Sequence, residues 1–209
     1  MNVTYSELRR RARESLRGQW GKSIGAVLLA AIPSLILGIL GLFSHSMEVA
    51  GNIMSYLIAG MIALGSAAFF LSISRHQRPP ATSIYQGFNH PVRAFLLYIL
   101  ILIFTFLWTL LLIIPGIIAT FRYSMAYYIL ADNPGMSPLE AIRRSKQMMK
   151  GNKWRLFVLH LTFIGWGLLS LLTLGIGYLW LGPYMAVTTA HFYDELRNQE
   201  QKPPAPESF

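Results

Sequence analysis

Residues 137–155, SPLEAIRRSKQMMKGNKWR, decide how the rest of the chain is read. Ser137 stands where an N-cap belongs, Pro138 at the first helical position and Glu140 at the third, which together make a capping box. Leu139, Ile142 and Met149 fall on one side of such a helix, and Arg143, Gln147 and Lys150 on another. The helix is therefore amphipathic and basic. Gly151 and Asn152 stop it, and Trp154 opens a long apolar run. A basic amphipathic helix leading into an apolar run predicts a membrane-surface element feeding a transmembrane helix.

Composition points the same way. Of 209 residues, 54% are hydrophobic and 13% charged, against roughly 25% charged in soluble domains. Without cysteine there are no disulfides and no thiolate metal sites. The formal net charge is +9. In a chain this apolar, anionic lipid headgroups rather than nucleic acid are the expected partner. The first apolar run, 24–43, is longer than a signal h-region and lacks a convincing small-residue cleavage site.

Working outward, apolar runs at 24–43, 51–74, 94–114, 117–131, 154–174 and 178–193 predict about six spans, paired as three hairpins. Each hairpin follows an amphipathic or polar segment, 1–22, 75–93 or 132–155. Residues 44–50 read as a short polar loop, and Pro115 with Gly116 as a tight turn or kink. Pro33 and Pro183 read as kinks within the first and sixth segments. Gly60, Gly65 and Ala68 can admit a close neighbour. Segments 117–131 and 178–193 either cross fully or re-enter. The fold class is all-α, a polytopic helical membrane protein. Residues 1–196 form one domain with units 1–74, 75–131 and 132–196, and 197–209 read as a disordered cytoplasmic tail.

The positive charges test that topology. Segments 1–22, 75–93, 132–155 and 194–209 hold six, three, six and two of the 18 Lys and Arg residues. The positive-inside rule makes that side cytoplasmic, with both termini on it.

The opening stretch is also repeated. A shift of 133 pairs Thr4 with Ser137, Glu7 with Glu140, and Arg10 and Arg11 with Arg143 and Arg144. It pairs Arg13 with Lys146, Arg17 with Lys150, Gly18 with Gly151 and Gln19 with Asn152, while Trp20 and Trp154 fall one residue out of step. Residues 82–95 hold the same place before the second hairpin but match poorly. Either the unit of surface helix plus hairpin is present three times in parallel, or similar helices have converged.

The run IIPGIIATFRYSMAYYILADNPGMSPLEAIRRSKQMMKGNKWRLFVLHLTFIGW, followed by LLTLGIGYLWLGPYMAVTTAHFYDEL, resembles the bacterial multi-pass membrane proteins of the domain-of-unknown-function 975 family. The motifs PGI, YSMA, GIGYLWLGPY and FYDEL carry the resemblance over residues 107–196, with a weaker echo in SELRRRARESLRGQW. It implies a bacterial cytoplasmic membrane and a multi-pass fold. It implies no activity and no catalytic residues.

Two groups of residues carry candidate sites. Arg10, Arg11, Arg13, Arg17, Trp20, Arg143, Arg144, Lys146, Lys150, Lys153 and Trp154 are expected to contact lipid headgroups or a partner. Each such cation near an anionic surface is worth about 1 kcal/mol. Arg122 is the one basic residue inside a span, about five residues and roughly 8 Å past the outer turn. An intramembrane charge is a functional hypothesis by default. A structural arginine that snorkels is the plainer reading. Glu48 is the one acidic residue on that side, so an Arg122–Glu48 pair or an Arg122 contact to lipid phosphate is expected. His160 and His191, with Asp194 and Glu195, lie at similar depth, but their spacing is not diagnostic of a metal or proton relay.

H-E-x-x-H, G-x-S-x-G and Walker motifs are absent from the sequence. The expectation is no cofactor, no metal and no catalysis. The chain reads as an integral membrane protein whose basic helices face anionic lipid or a protein partner, a second copy of itself included. The alternative is a small transporter, flippase or export factor with a path between kinked hairpins.

Overall fold

Thr4 and Ser137 both cap helices. The Thr4 hydroxyl accepts the Glu7 amide at 3.4 Å to start α1 (Tyr5–Leu16), and the Ser137 hydroxyl accepts the Glu140 amide at 3.3 Å to start α7 (Pro138–Met148). Both helices are followed by a glycine in the left-handed region, Gly18 at φ 78° and Gly151 at φ 83°, where a Cβ would be strained. The next polar residue then reaches back in the same way. Gln19 Nε2 donates to the Ser15 carbonyl at 3.3 Å, and Asn152 Nδ2 to the Met148 carbonyl at 3.1 Å. The buried stripes also correspond: Leu8, Ala12, Ser15 and Leu16 in α1, and Ala141, Ser145, Met148 and Met149 in α7.

The computed structural model describes residues 3–43 and 45–201 and contains no strand among them. After α1 come α2 (Trp20–Gly41), α3 (His45–Ser74), a 3-10 helix (Ala81–Asn89), α4 (Pro91–Leu111), α5 (Ile113–Tyr123) and α6 (Ala126–Asp132). After α7 come α8 (Lys153–Leu161), α9 (Ile164–Leu172) and α10 (Tyr178–Gln201). Five stretches are long and apolar enough to cross a membrane: Trp20–Gly41, Glu48–Ser74, Pro91–Leu111, Ile113–Asp132 and Lys153–Leu172. Of the most apolar part of α2 only 6% is buried, and of α4 only 11%. Soluble proteins bury such helices. Here Leu35, Ile39, Phe106, Leu110 and Leu111 lie exposed, as lipid-facing side chains do.

The sixth expected segment, 178–193, opens α10. Its polar residues keep it below that apolar level. It has less need of an apolar surface, because α1, α2 and α3 pack around it and bury Thr188, Phe192 and Tyr193.

The hairpins are α2 with α3, α4 with α5 and α6, and α8 and α9 with α10. The segment ahead of each hairpin packs on the hairpin before it: the 3-10 helix on α3, and α7 on α6. α1 packs on α10, in the last hairpin. α1, α7 and the close of α3 mark the polar end of the bundle, and the 3-10 helix reaches from there to Met61 and Gly65 inside α3. The α3 contact needs glycine on both sides. A Cβ on Gly65 would come within 1.8 Å of the Ile84 carbonyl oxygen, and one on Gly87 within 1.8 Å of the Met61 carbonyl oxygen. A Cβ on Gly60 would likewise meet the Ala94 carbonyl oxygen at 2.6 Å, so the small-residue face does bring neighbours close.

Three boundaries differ from those expected. Residues 45–50 are the first turns of α3 rather than a loop; Ser44 lies outside the described residues. The second reversal falls at Leu112, in extended backbone, so Pro115 neither turns nor kinks the chain. It sits at the third position of α5, where a missing N–H costs little. Pro33 and Pro183 lie in the interior of α2 and α10, within the segments where they were expected. α10 continues to Gln201, five residues into the segment expected to be disordered, and 202–209 lie outside the described residues.

Candidate functional site

At the polar end the second helices of the three hairpins meet through charge. Arg75, just past α3, donates to both oxygens of Asp132 at the end of α6, Nη1 to Oδ1 at 2.6 Å and Nη2 to Oδ2 at 2.8 Å. The same guanidinium donates to Asp194 Oδ1 on α10, from Nη2 at 2.7 Å and Nε at 3.2 Å. The planar fork makes four such contacts, two of them bidentate to Asp132, where an ammonium has only three donors. The Tyr193 hydroxyl (3.0 Å) donates to Asp132 Oδ2, Arg197 Nη1 lies 3.0 Å from the same oxygen, and the Ser74 hydroxyl (3.1 Å) donates to Asp194 Oδ2. The hydrogen bonds to Asp132, and then those to Asp194, hold the Arg75 guanidinium above its ordinary pKa. It stays charged at any working pH.

A second ion pair anchors the start of the chain. Arg155 Nη2 lies 2.9 Å from Glu195 Oε1, with the two side chains 13% and 6% exposed. The Val3 amide donates to the same carboxylate oxygen at 3.0 Å. Arg155 also approaches the Val3 carbonyl at 3.4 Å and the Phe192 ring at 5.3 Å. α8, α10 and the lead-in to α1 are thereby held at one point.

Between α1, the start of α2, α9 and the first turns of α10 lies a cavity of about 590 Å³. Arg9 and Arg13 enter it from α1. Trp20, Trp166, Trp180 and Tyr184 supply its aromatic walls, and Leu169, Ser170 and Thr173 line it further along. The Tyr184 hydroxyl donates to the Arg9 carbonyl at 3.4 Å.

The expected surface residues divide unequally. Arg10 and Arg11 bond Glu7 at 2.8 Å each, and Arg10 also reaches Glu14 at 3.2 Å. Hydrogen bonds from Arg10 and then Arg11 hold the Glu7 carboxyl down to about 2. Arg13 lines the cavity and Arg17 is exposed. On α7, Arg143, Lys146 and Lys150 are exposed and Arg144 half-buried. Arg143 and Arg144 share a cleft with Glu140 and Glu200. Lys153 is half-buried, Trp20 lines the cavity and Trp154 is 69% exposed.

The two residues of the expected Arg122–Glu48 pair lie in different hairpins. Glu48, in the first turn of α3, packs against Gly41 of α2. Arg122 lies in another hairpin, with its guanidinium 5.6 Å from the centre of the Trp108 ring. It stands ten residues after the reversal at Leu112, about 15 Å along the helix, because the turn comes earlier than Pro115 suggested. His160 and His191 are also apart. His160 bonds the Leu156 carbonyl beside Phe121, and His191 bonds the Ser15 hydroxyl at 3.0 Å. Among the described residues no group of three His, Asp or Glu side chains could hold a metal ion.

Sequence reading passed over Arg9, Arg75, Asp132 and the Arg155–Glu195 pair. One signal was available for the node: Arg75, Asp132 and Asp194 each stand at the polar end of the apolar run in the second half of a hairpin. Nothing local distinguishes Arg9 from its neighbours.

Two overlapping stretches, residues 1–119 and 109–200, match the family described as Protein of unknown function (DUF975). The chain belongs to this family. Its resemblance through PGI, YSMA, GIGYLWLGPY and FYDEL is thus carried by nearly the whole DUF975 chain rather than by its second half alone. No curated protein and no solved structure matches it. The family brings no residue roles with it, so function has to be argued from the geometry.

Proposed function

We propose that this DUF975 protein is a non-catalytic component of a bacterial cytoplasmic membrane, with both termini cytoplasmic and its polar end apposed to anionic lipid headgroups. One observation carries the reading. α1 and α7 turn their apolar stripes into the bundle and leave Arg17, Arg143, Lys146 and Lys150 exposed. Contact with the membrane surface would then be made by cations rather than by inserted apolar side chains. A duplicated surface helix is the second half of this proposal. It is supported by matching caps, matching positive-φ glycines and matching buried stripes at a shift of 133. The Arg75 node joins the three hairpins at one end, which favours a scaffold over a path between hairpins.

The native chain has no cysteine, so Gln147→Cys on the exposed side of α7 makes a single reporter. In nanodiscs, alkylation by an aqueous maleimide should slow as the anionic lipid fraction rises and recover in high salt. A rate indifferent to lipid charge and to salt rules out electrostatic apposition.

A further inference from the structure

The arginines of α1 fall into two pairs with different surroundings. Arg10 and Arg11 are neutralised within the helix by Glu7 and Glu14. Arg9 and Arg13, one turn apart and on one face, make no ion pair among the described residues. No carboxylate lines the cavity they enter. Arg9 Nε is buried and has no hydrogen-bond partner, a costly condition for a charged donor.

The remaining walls state what could satisfy it. Trp166, Leu169 and Trp180 belong to helices of the third hairpin and are 58%, 55% and 50% exposed. The cavity therefore opens along an apolar flank, while its arginines sit at the α1 end. A wet pocket for a small soluble anion would be lined mainly by polar groups. This one is mostly apolar, with tryptophans that favour the boundary between headgroup and acyl chain. Its volume of about 590 Å³ lies within the roughly 300–1,000 Å³ of small-molecule sites.

We infer that this cavity is a discrete site for one anionic glycerophospholipid. The phosphate meets Arg9 and Arg13, and the upper acyl chain lies along Trp166, Leu169 and Trp180. Guanidinium groups suit phosphate because their fixed N–H forks match its oxygens. The site differs from general apposition of the polar end, which is diffuse and uses the exposed cations of α1 and α7. It saturates at one lipid per protein.

α7 shows what the same helix looks like without the site. At the shift of 133, Arg9 corresponds to Ile142, which is 4% exposed and packed in the core. The space beside α7, between α8 and the preceding hairpin, is filled. Phe121 meets Phe157 edge-on at 5.7 Å and stands 6.1 Å from His160.

The test uses the full-length protein in nanodiscs of zwitterionic lipid, titrated with a phosphatidylglycerol brominated near the top of its acyl chains. Tryptophan fluorescence should show a saturable quenching component at low mole fraction of the brominated lipid. Arg9→Ile combined with Arg13→Gln should raise half-saturation at least tenfold, whereas Arg10→Gln combined with Arg11→Gln should leave it unchanged. Leu169→Trp keeps both arginines and fills the cavity, and native mass spectrometry should show that it loses the one retained phosphatidylglycerol. Quenching that rises linearly with mole fraction overturns the proposal, as does equal half-saturation in the Arg9/Arg13 variant. Displacement by soluble glycerol phosphate assigns the site to a free phosphate ester and overturns the lipid. None of these variants touches the Gln147→Cys reporter, so surface apposition stands or falls separately.

Discussion

α1 and α7 start with the same cap, stop at the same kind of glycine and bury the same four positions, yet one borders an apolar cavity walled by tryptophans and the other a polar cleft that holds Glu140 and Glu200. The difference rests on what each helix packs against. α7 lies on α6 with α4 and α5 close by, and those neighbours take up Ile142. α1 lies on α10, and the space beside Arg9 stays open among Trp20, Trp166 and Trp180. A helix thus carries its own start, stop and buried stripe in its sequence. Whether a position just beside that stripe faces core or cavity depends on the partner.

Exchanging the residue that separates the two helices gives the largest expected effect. Ile142→Arg would put an unpaired charge into a packed core and should destabilise the protein by about 4 kcal/mol, read as a lowered melting temperature in detergent. The reverse exchange, Arg9→Ile, enters a cavity and should cost less than about 1 kcal/mol. Equal losses from the two would mean that the environments are not different after all.

The lead-ins to the two helices offer a second contrast. Val3 is held by the buried Arg155–Glu195 pair, whereas before α7 the Pro134 carbonyl is held by Arg93 in an exposed hydrogen bond. Arg155→Met leaves Glu195 without its cation and should cost about 3 kcal/mol. It should also speed amide exchange at the start of α1 while leaving α7 unchanged. Arg93→Met should shift stability by no more than about 1 kcal/mol. Comparable effects from the two would remove the distinction between anchors.

The smallest effect concerns acid. The Glu7 carboxyl is lowered from 4.5 to about 2 by hydrogen bonds from Arg10 and then Arg11. A depressed carboxyl contributes stability that is present above its unfolded value and lost as pH falls through the folded one. The contribution should therefore be complete above about pH 4.5 and fade toward about pH 2. Glu7 lies half-buried at the surface and its partners Arg10 and Arg11 are exposed, so the slope should be shallow, and Glu7→Gln should flatten it in thermal melts across that range. A slope that survives the substitution has another source.

How far the fold could be read follows the range of the forces involved. Caps, stops and apolar runs depend on a few consecutive residues, and α1, α7 and the five apolar stretches were legible from them. Turn positions were less so, because Pro115 fits the first turn of a helix as well as it fits a reversal. Residues 45–50 looked like a loop because they are polar, yet they contain no proline or glycine and simply continue into α3. The expected Arg122–Glu48 pair joined residues of two different hairpins, a distance no local pattern in the sequence reports. Arg75 with Asp132 and Asp194 needed the ends of α3 and α6 to converge on the body of α10. Arg9 stood among similar arginines, and only the placement of Glu7 and Glu14 shows which of them lack an acidic partner.

The seating of α1 on α10 has a consequence for how the chain is made. Val3, Arg9 and Ser15 bond Glu195, Tyr184 and His191, partners separated from them by 192, 175 and 176 residues. Synthesis runs from the N-terminus at about 5–20 residues per second, so α1 emerges first and waits roughly ten seconds or more for α10. Throughout that interval Ala12 and Leu16 have only Ala26, Phe69, Phe70, Ile73 and Ile84 to pack against, and the α10 side of the α1 site is missing. A chain cut short before Tyr178 would leave Val3, Arg9 and Ser15 without their partners on α10.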